Sequence, residues 1–115
     1  MTDLEQNKIE EIQSIEHSLQ NFLAQKQAIQ LELNEVNNAL EELEKTSDEV
    51  YKIIGNIFIK SDKKSLVSEI TEKKKLLSLR IDSIEKQESI LESRYSTLKE
   101  EISKSIDKSS KEIKK

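Results

Sequence analysis

The sequence contains no cysteine, no proline and no tryptophan, and it has a single glycine among 115 residues. Without cysteine there is no disulfide framework and no thiol chemistry, which is compatible with a reducing cytosol. Without proline, and with glycine only at position 55, the usual breakers of helices are missing. We therefore expect the chain to reverse direction at one place, near Gly55.

Long apolar runs are also missing, and the composition is unusually polar. No stretch reaches the roughly 18 apolar residues that a membrane helix needs, and the first residues do not resemble a signal peptide. Hydrophobic residues make up 34% of the chain and charged residues 37%, which favours a long helical protein over one with a large core. A net charge of −4 argues against nucleic acid as the main partner. We expect a soluble, cytoplasmic protein without a membrane or nucleic-acid partner.

Apolar residues recur at alternating steps of three and four in the first half of the chain, which is typical of a coiled-coil seam. This series comprises Ile12, Ile15, Leu19, Phe22, Lys26, Ile29, Leu33, Val36, Leu40 and Leu43. A second seam comprises Leu66, Ile70 and Leu77 and then, after a phase shift, Ile81, Ile84, Glu88, Leu91, Tyr95, Leu98 and Ile102. The patterns predict helices over about 4–46 and 62–112 within one domain of residues 1–115, with Ser61 or Asp62 as the cap of the second helix.

The segment between the two seams predicts a β-hairpin over about 50–60, with Gly55-Asn56 as its two-residue turn. This turn pairs Ile54 with Ile57 and Ile53 with Phe58. Neither face of the hairpin is then mostly polar, and two strands alone are marginally stable with open edges. We therefore expect the hairpins of several chains to join into a shared sheet or barrel. The predicted oligomerisation residues are Val50, Tyr51, Ile53, Ile54, Gly55, Ile57, Phe58 and Ile59.

The two seams are in register for antiparallel packing around this hairpin. Facing residues, such as Leu33 with Leu77 and Leu19 with Leu91, have numbers that sum to 110, and half of 110 is the position of Gly55. The helix pattern and the turn thus predict the same point of reversal independently. The predicted fold is mainly α, a long antiparallel two-helix coiled coil with one β-hairpin at the reversal and hairpins that assemble into an intersubunit β-barrel.

Two seam positions carry charge. Lys26 and Glu88 lie about one turn apart in this register, so an ion pair between them would discourage slipped pairings. Alternatively, Lys26 lays its aliphatic stem on the seam while its ammonium group reaches water.

No residues form a recognisable catalytic, cofactor-binding or metal site, so we do not expect an enzyme. His17 is the only histidine and has no nearby set of metal ligands. Paired carboxylates such as Glu41 and Glu42 point in different directions on a helix, which does not suit acid–base catalysis. The run Lys73 to Lys75 could contact an acidic partner, although exposed lysines on a helix are the ordinary reading.

The hairpin segment, residues 49–60, together with residues 66–72, resembles the β subunit of archaeal prefoldin. Further matching segments are Gln25-Lys26-Gln27, Leu40-Glu41-Glu42-Leu43 and Lys86-Gln87-Glu88. The resemblance implies a hexamer of two α and four β subunits, whose hairpins form a double β-barrel. It also implies an ATP-independent chaperone that holds unfolded proteins between its coiled-coil tips and passes them to a group II chaperonin. A single hairpin fits the β type, since the α type carries two.

The ends of the helices separate two functional hypotheses. A chaperone that binds clients should lose its seam near the tip and expose apolar residues, whereas a structural scaffold or spacer should keep the seam closed. Polar residues, Glu5, Lys8 and Ser105, do replace apolar ones at the last seam positions. The predicted client-binding tip consists of Leu4, Ile9, Ile106 and Ile113.

Overall fold

A computed structural model describes the backbone of residues 2–47 and 49–113, and the side chains of residues 2–47 and 49–108. Helix α1 spans Asp3–Lys45 and helix α2 spans Lys63–Ile113. Between them, strands β1 (Glu49–Ile54) and β2 (Ile57–Asp62) form one antiparallel hairpin. The predicted fold class, two long helices joined by a single hairpin, is confirmed.

The chain forms two compact units. The hairpin unit comprises residues 26–82, and the terminal unit comprises residues 1–25 and 83–115. The buried side chains of the hairpin unit are Ile29, Leu33, Val36, Leu43, Val50 and Leu77, and those of the terminal unit are Ile15, Ile84 and Leu98. All of these except Val50 belong to the predicted seams. Each unit is therefore held together by seam residues, and Leu98 has no exposed surface at all.

Side chains cap the helix ends as their sequences direct. At the start of α1, the Glu5 amide donates to Thr2 Oγ1 and the Thr2 amide donates to Glu5 Oε2, both at 3.1 Å, which is a capping box. At the start of α2, the Ser65 amide donates to Asp62 Oδ1 at 2.7 Å, so Asp62 is the cap. Lys63 Nζ donates to the Thr46 carbonyl at 3.3 Å, which ties the start of α2 to the segment that follows α1.

The hairpin has the predicted register. Ile54 pairs with Ile57, Ile53 with Phe58 and Lys52 with Ile59. Gly55 has a φ of 60°, and no other described residue has a positive φ. A positive φ at the first central residue alone is the pattern of a type II′ turn, whose backbone twist matches that of the two strands.

Replacing Gly55 with alanine should destabilise the hairpin through its backbone. A Cβ at this position would meet no atom within 4 Å, so the cost of the substitution is the positive φ and not a clash. We expect the free energy of unfolding to fall by about 1 to 2 kcal/mol, measured by chemical denaturation. The matched control is Asn56→Ala, where φ is not positive. Equal effects of the two substitutions would contradict the argument.

Candidate functional site

Exposed large apolar side chains are concentrated in the hairpin. The exposed apolar side chains, which we call the hairpin surface, are Tyr51, Ile53, Ile54, Ile57, Phe58 and Ile59. Phe58 is 69% exposed and its cross-strand neighbour Ile53 is 63% exposed. Exposed apolar side chains on both faces of a two-stranded sheet with open edges are typical of an interface.

Val50 does not belong to this surface, although the sequence grouped it with the oligomerisation residues. It is only 9% exposed and lines a hollow with Leu43, Leu66 and Ile70. The hairpin pattern assigned both strands to a partner, but Val50 lies at the base of the hairpin, where the helices of its own unit already cover it.

Ion pairs flank the base of the hairpin. Lys52 donates to Glu69 of α2, and Lys60 Nζ lies 2.9 Å from Glu49 Oε1 on the neighbouring strand. All four side chains are at least partly exposed to solvent, so each pair contributes little to stability by itself.

An apolar hollow lies among the chain ends in the terminal unit. The hollow, of about 380 Å³, is lined by Ile9, Ile12, Lys99, Ile102, Ser103, Ile106 and Asp107; we call it the terminal hollow. Two residues of the predicted tip, Ile9 and Ile106, meet here. Leu4 is 65% exposed and does not line this hollow, and the side chain of Ile113 lies outside the described residues.

Beside this hollow, polar contacts close the last turns of the seam. Ser105 Oγ donates to Glu5, and Lys8 Nζ lies 3.2 Å from Glu101 Oε2. We call these four residues the polar clasp. The loss of apolar seam residues predicted that these ends would separate. The structure differs because the polar residues at the seam positions find partners on the opposite helix.

Further along the terminal unit, a charged network follows the seam. Arg94 donates through Nε and Nη2 to the two oxygens of Glu11, at 2.8 and 3.1 Å. Tyr95 Oη donates to Glu16 at 3.0 Å, and Lys99 Nζ lies 5.0 Å from the centre of the Tyr95 ring. The hydrogen bond from Arg94 lowers the pKa of Glu11. The hydrogen bond from Ser105, and then that from Thr2, lowers the pKa of Glu5.

Stability should therefore decrease in acid. Because the pKa of Glu11 is lowered in the folded chain, its stabilising effect is complete above its ordinary pKa of 4.5 and is lost as the pH falls through the folded-state value. We expect Glu11→Gln to lower the melting temperature at pH 6 by less than about 5 °C. Melting followed by circular dichroism from pH 6 to pH 3 should show a smaller acid loss in this variant than in the native chain. Glu41→Gln, a matched control at an exposed position of the same helix, should leave the melting temperature at pH 6 near the native value. Parallel curves for Glu11→Gln and the native chain would contradict the argument.

Sequence reasoning missed the polar clasp and the capping box, although a signal for the latter was present. Thr2 followed three residues later by Glu5 is the capping-box spacing. The residue numbers of the two clasp pairs sum to 110 for Glu5 with Ser105 and to 109 for Lys8 with Glu101, as expected for facing positions. Because these side chains are polar, a search for periodic apolar residues does not detect them.

The described side chains give no sign of a metal site. Among residues 2–47 and 49–108, no group of three or more histidine, aspartate or glutamate side chains could hold a metal ion. His17 lies exposed on α1. In the described part of the chain, neither helix contains a stretch apolar and long enough to cross a membrane.

Known proteins are similar to this chain in both sequence and fold. A sequence profile for the family described as "Prefoldin subunit" matches residues 6–109. The chain belongs to the prefoldin subunit family. The prefoldin subunit beta of Methanothrix thermoacetophila is 35% identical over 103 residues, which cover 88% of this chain and 86% of the relative. That of Saccharolobus islandicus is 37% identical over 105 residues, which cover 90% and 83%.

A solved prefoldin structure agrees with these relatives. The crystal structure of the prefoldin beta subunit from Thermococcus strain KS-1 superposes with a TM-score of 0.83 at 33% identity, covering 90% of this chain and 93% of that one. The predicted resemblance to the archaeal prefoldin β subunit is thereby confirmed, and with it membership of a chaperone family.

Proposed function

We propose that this chain is the β-type subunit of a prefoldin hexamer that holds unfolded proteins without ATP. Two α-type subunits and four copies of this chain would join through their hairpins into a β-barrel, in the cytoplasm. The observation that carries the proposal is the structural match to a prefoldin beta subunit over 90% of the chain. No described residues suggest catalytic chemistry, so the proposal contains no enzymatic step.

The hairpin surface supports the assembly part of this proposal. Six apolar side chains on a two-stranded hairpin are exposed, and burying one such side chain is worth roughly 1.5 to 3 kcal/mol. A partner hairpin could cover both the side chains and an open strand edge. The interface residues that we propose are therefore the hairpin surface together with the turn residue Gly55, and Val50 is left out.

The terminal hollow supports the client-binding part. Ile9, Ile102 and Ile106 present an apolar depression with Lys99, Ser103 and Asp107 around it, and Ile106 is 60% exposed. An unfolded chain offers apolar side chains next to free peptide groups, and this mixture of apolar and polar lining suits both. Leu4 supplies a second exposed apolar side chain in the same unit, and we keep Ile113 in the proposed site from its sequence position alone.

A second candidate, a structural spacer joined through the hairpin, is favoured by one observation. The polar clasp closes the seam at the chain ends, as a scaffold would require. The chaperone proposal therefore depends on surface beside the seam and not on separation of the helices.

Aggregation of a chemically unfolded model enzyme, diluted into buffer without ATP, separates the two candidates. A chaperone assembly should suppress light scattering at a near-stoichiometric ratio to the enzyme, whereas a spacer should leave the scattering unchanged. Transfer to a group II chaperonin, the last part of the proposal, would appear as recovery of enzyme activity when chaperonin and ATP are added afterwards.

A further inference from the structure

The two faces of the hairpin differ in what covers them. Paired residues share a face, so Val50, Lys52 and Ser61 lie on one face and Tyr51, Ile53, Phe58 and Lys60 lie on the other. On the first face Val50 is buried and Lys52 and Ser61 are half-buried, whereas Ile54, Ile57 and Ile59, which lie on the same face nearer the turn, are exposed. On the second face every residue is exposed. We call these the helix-side face and the open face.

Only one polar contact joins residues 49–60 to a helix in the described part of the chain, and that contact is Lys52 with Glu69. Val50 attaches the base of the hairpin to the helices of its unit by apolar contact. It lies two residues before Lys52, on the same face of the hairpin. Apolar contact at the base alone, where Val50 and Tyr51 line the hollow, leaves the tilt of the outer part of the hairpin loosely fixed. The ion pair supplies a second point of attachment further along the strand, at Glu69 in the second turn of α2.

We infer that Lys52 and Glu69 are positioning residues. They orient the hairpin so that its open face and the residue pair next to the turn, Ile54 with Ile57, meet the hairpin of another subunit. This inference rests on the proposed assembly. Because both side chains are partly exposed, at 37% and 56%, the pair adds little to the stability of one chain. It acts on association instead, because a hairpin held in its bound orientation loses less freedom when it joins a sheet.

Charge reversal tests the inference. Lys52→Glu and Glu69→Lys each place like charges together, so each should raise the concentration at which half of the complexes form by at least about tenfold, measured by sedimentation with an α-type subunit present. The double reversal, Lys52→Glu with Glu69→Lys, restores an ion pair of opposite orientation and should return this concentration to within about threefold of the native value. Helix content, measured by circular dichroism, should be the same in all four proteins.

Glu72→Lys is the matched control, since it reverses a charge one turn further along α2 and should leave assembly at the native level. Single reversals that assemble like the native chain, or a double reversal no better than the single ones, would overturn the inference. The proposed assembly fails separately, if substitutions in the apolar hairpin surface itself leave the complex intact.

Discussion

Replacing Ile53 and Phe58 with lysine is expected to dissociate the assembly while leaving the helices intact. These two side chains pair across the strands and are 63% and 69% exposed in the single chain. The substitution removes two apolar groups that the proposed interface would bury, worth roughly 3 to 6 kcal/mol together, and would place two charges in that interface without partners. Association should weaken by roughly a hundredfold or more, since each 1.4 kcal/mol is a factor of about ten.

Light scattering coupled to size-exclusion chromatography, with an α-type subunit present, would measure the mass, and circular dichroism would measure the helix content. Leu23→Lys with Leu31→Lys is the matched control, because those leucines are also exposed but lie on α1 away from the hairpin. The control should keep the native mass. An unchanged mass for the hairpin variant would show that assembly uses another surface.

Replacing the apolar residues near the chain ends with serine should weaken client capture without affecting assembly. We expect Leu4→Ser, Ile9→Ser and Ile106→Ser, combined in one chain, to require about tenfold more protein for half-maximal suppression of aggregation. Each contact is weak by itself, but several subunits of one complex can bind the same unfolded chain at once, which raises the effective concentration. A small loss of affinity in each subunit is therefore multiplied in the complex. Ile90→Ser with Leu23→Ser is the matched control, since both are exposed in the same unit but lie outside the terminal hollow. Full suppression by the triple variant would place client binding elsewhere.

The polar clasp allows the mode of capture to be tested separately. The sequence contains no cysteine, so Glu5→Cys with Ser105→Cys would provide the two thiols needed for a short bismaleimide cross-link across the seam. If clients bind the terminal hollow with the seam closed, the cross-linked chain should keep its suppression of aggregation. Loss of suppression on cross-linking would mean that the helices must separate to expose their seam.

The fold could be predicted because two independent signals in the sequence agree. The spacing of apolar residues in the two helices and the position of the glycine turn indicate the same point of chain reversal. Steps of three and four placed Ile15, Leu33, Leu77 and Leu98 in the seams, and all four are buried. The single glycine indicated the position of the turn, and the turn position determines every residue pair of the hairpin. Such patterns report which residues avoid water, and this is enough to establish two helices and a reversal.

The candidate sites were less predictable because they depend on particular partners. Val50 is as apolar as the other hairpin residues. It is buried within its own chain because it lies at the base of the hairpin, next to the helices. Glu5 and Ser105 read as a weakened seam, yet a hydrogen bond joins them. A hydrophobic pattern carries no information about polar side chains that bond to one another, so the contact between Glu5 and Ser105 could not be predicted from it.

Native mass spectrometry of this chain, alone and mixed with an archaeal prefoldin α-type subunit, tests the central claim most directly. The proposed function predicts a complex that contains both chains, with four copies of this chain and two of the α type, and predicts that the Ile53→Lys and Phe58→Lys variant is absent from it. A mixture in which this chain never appears in a complex with the α-type subunit would contradict the account.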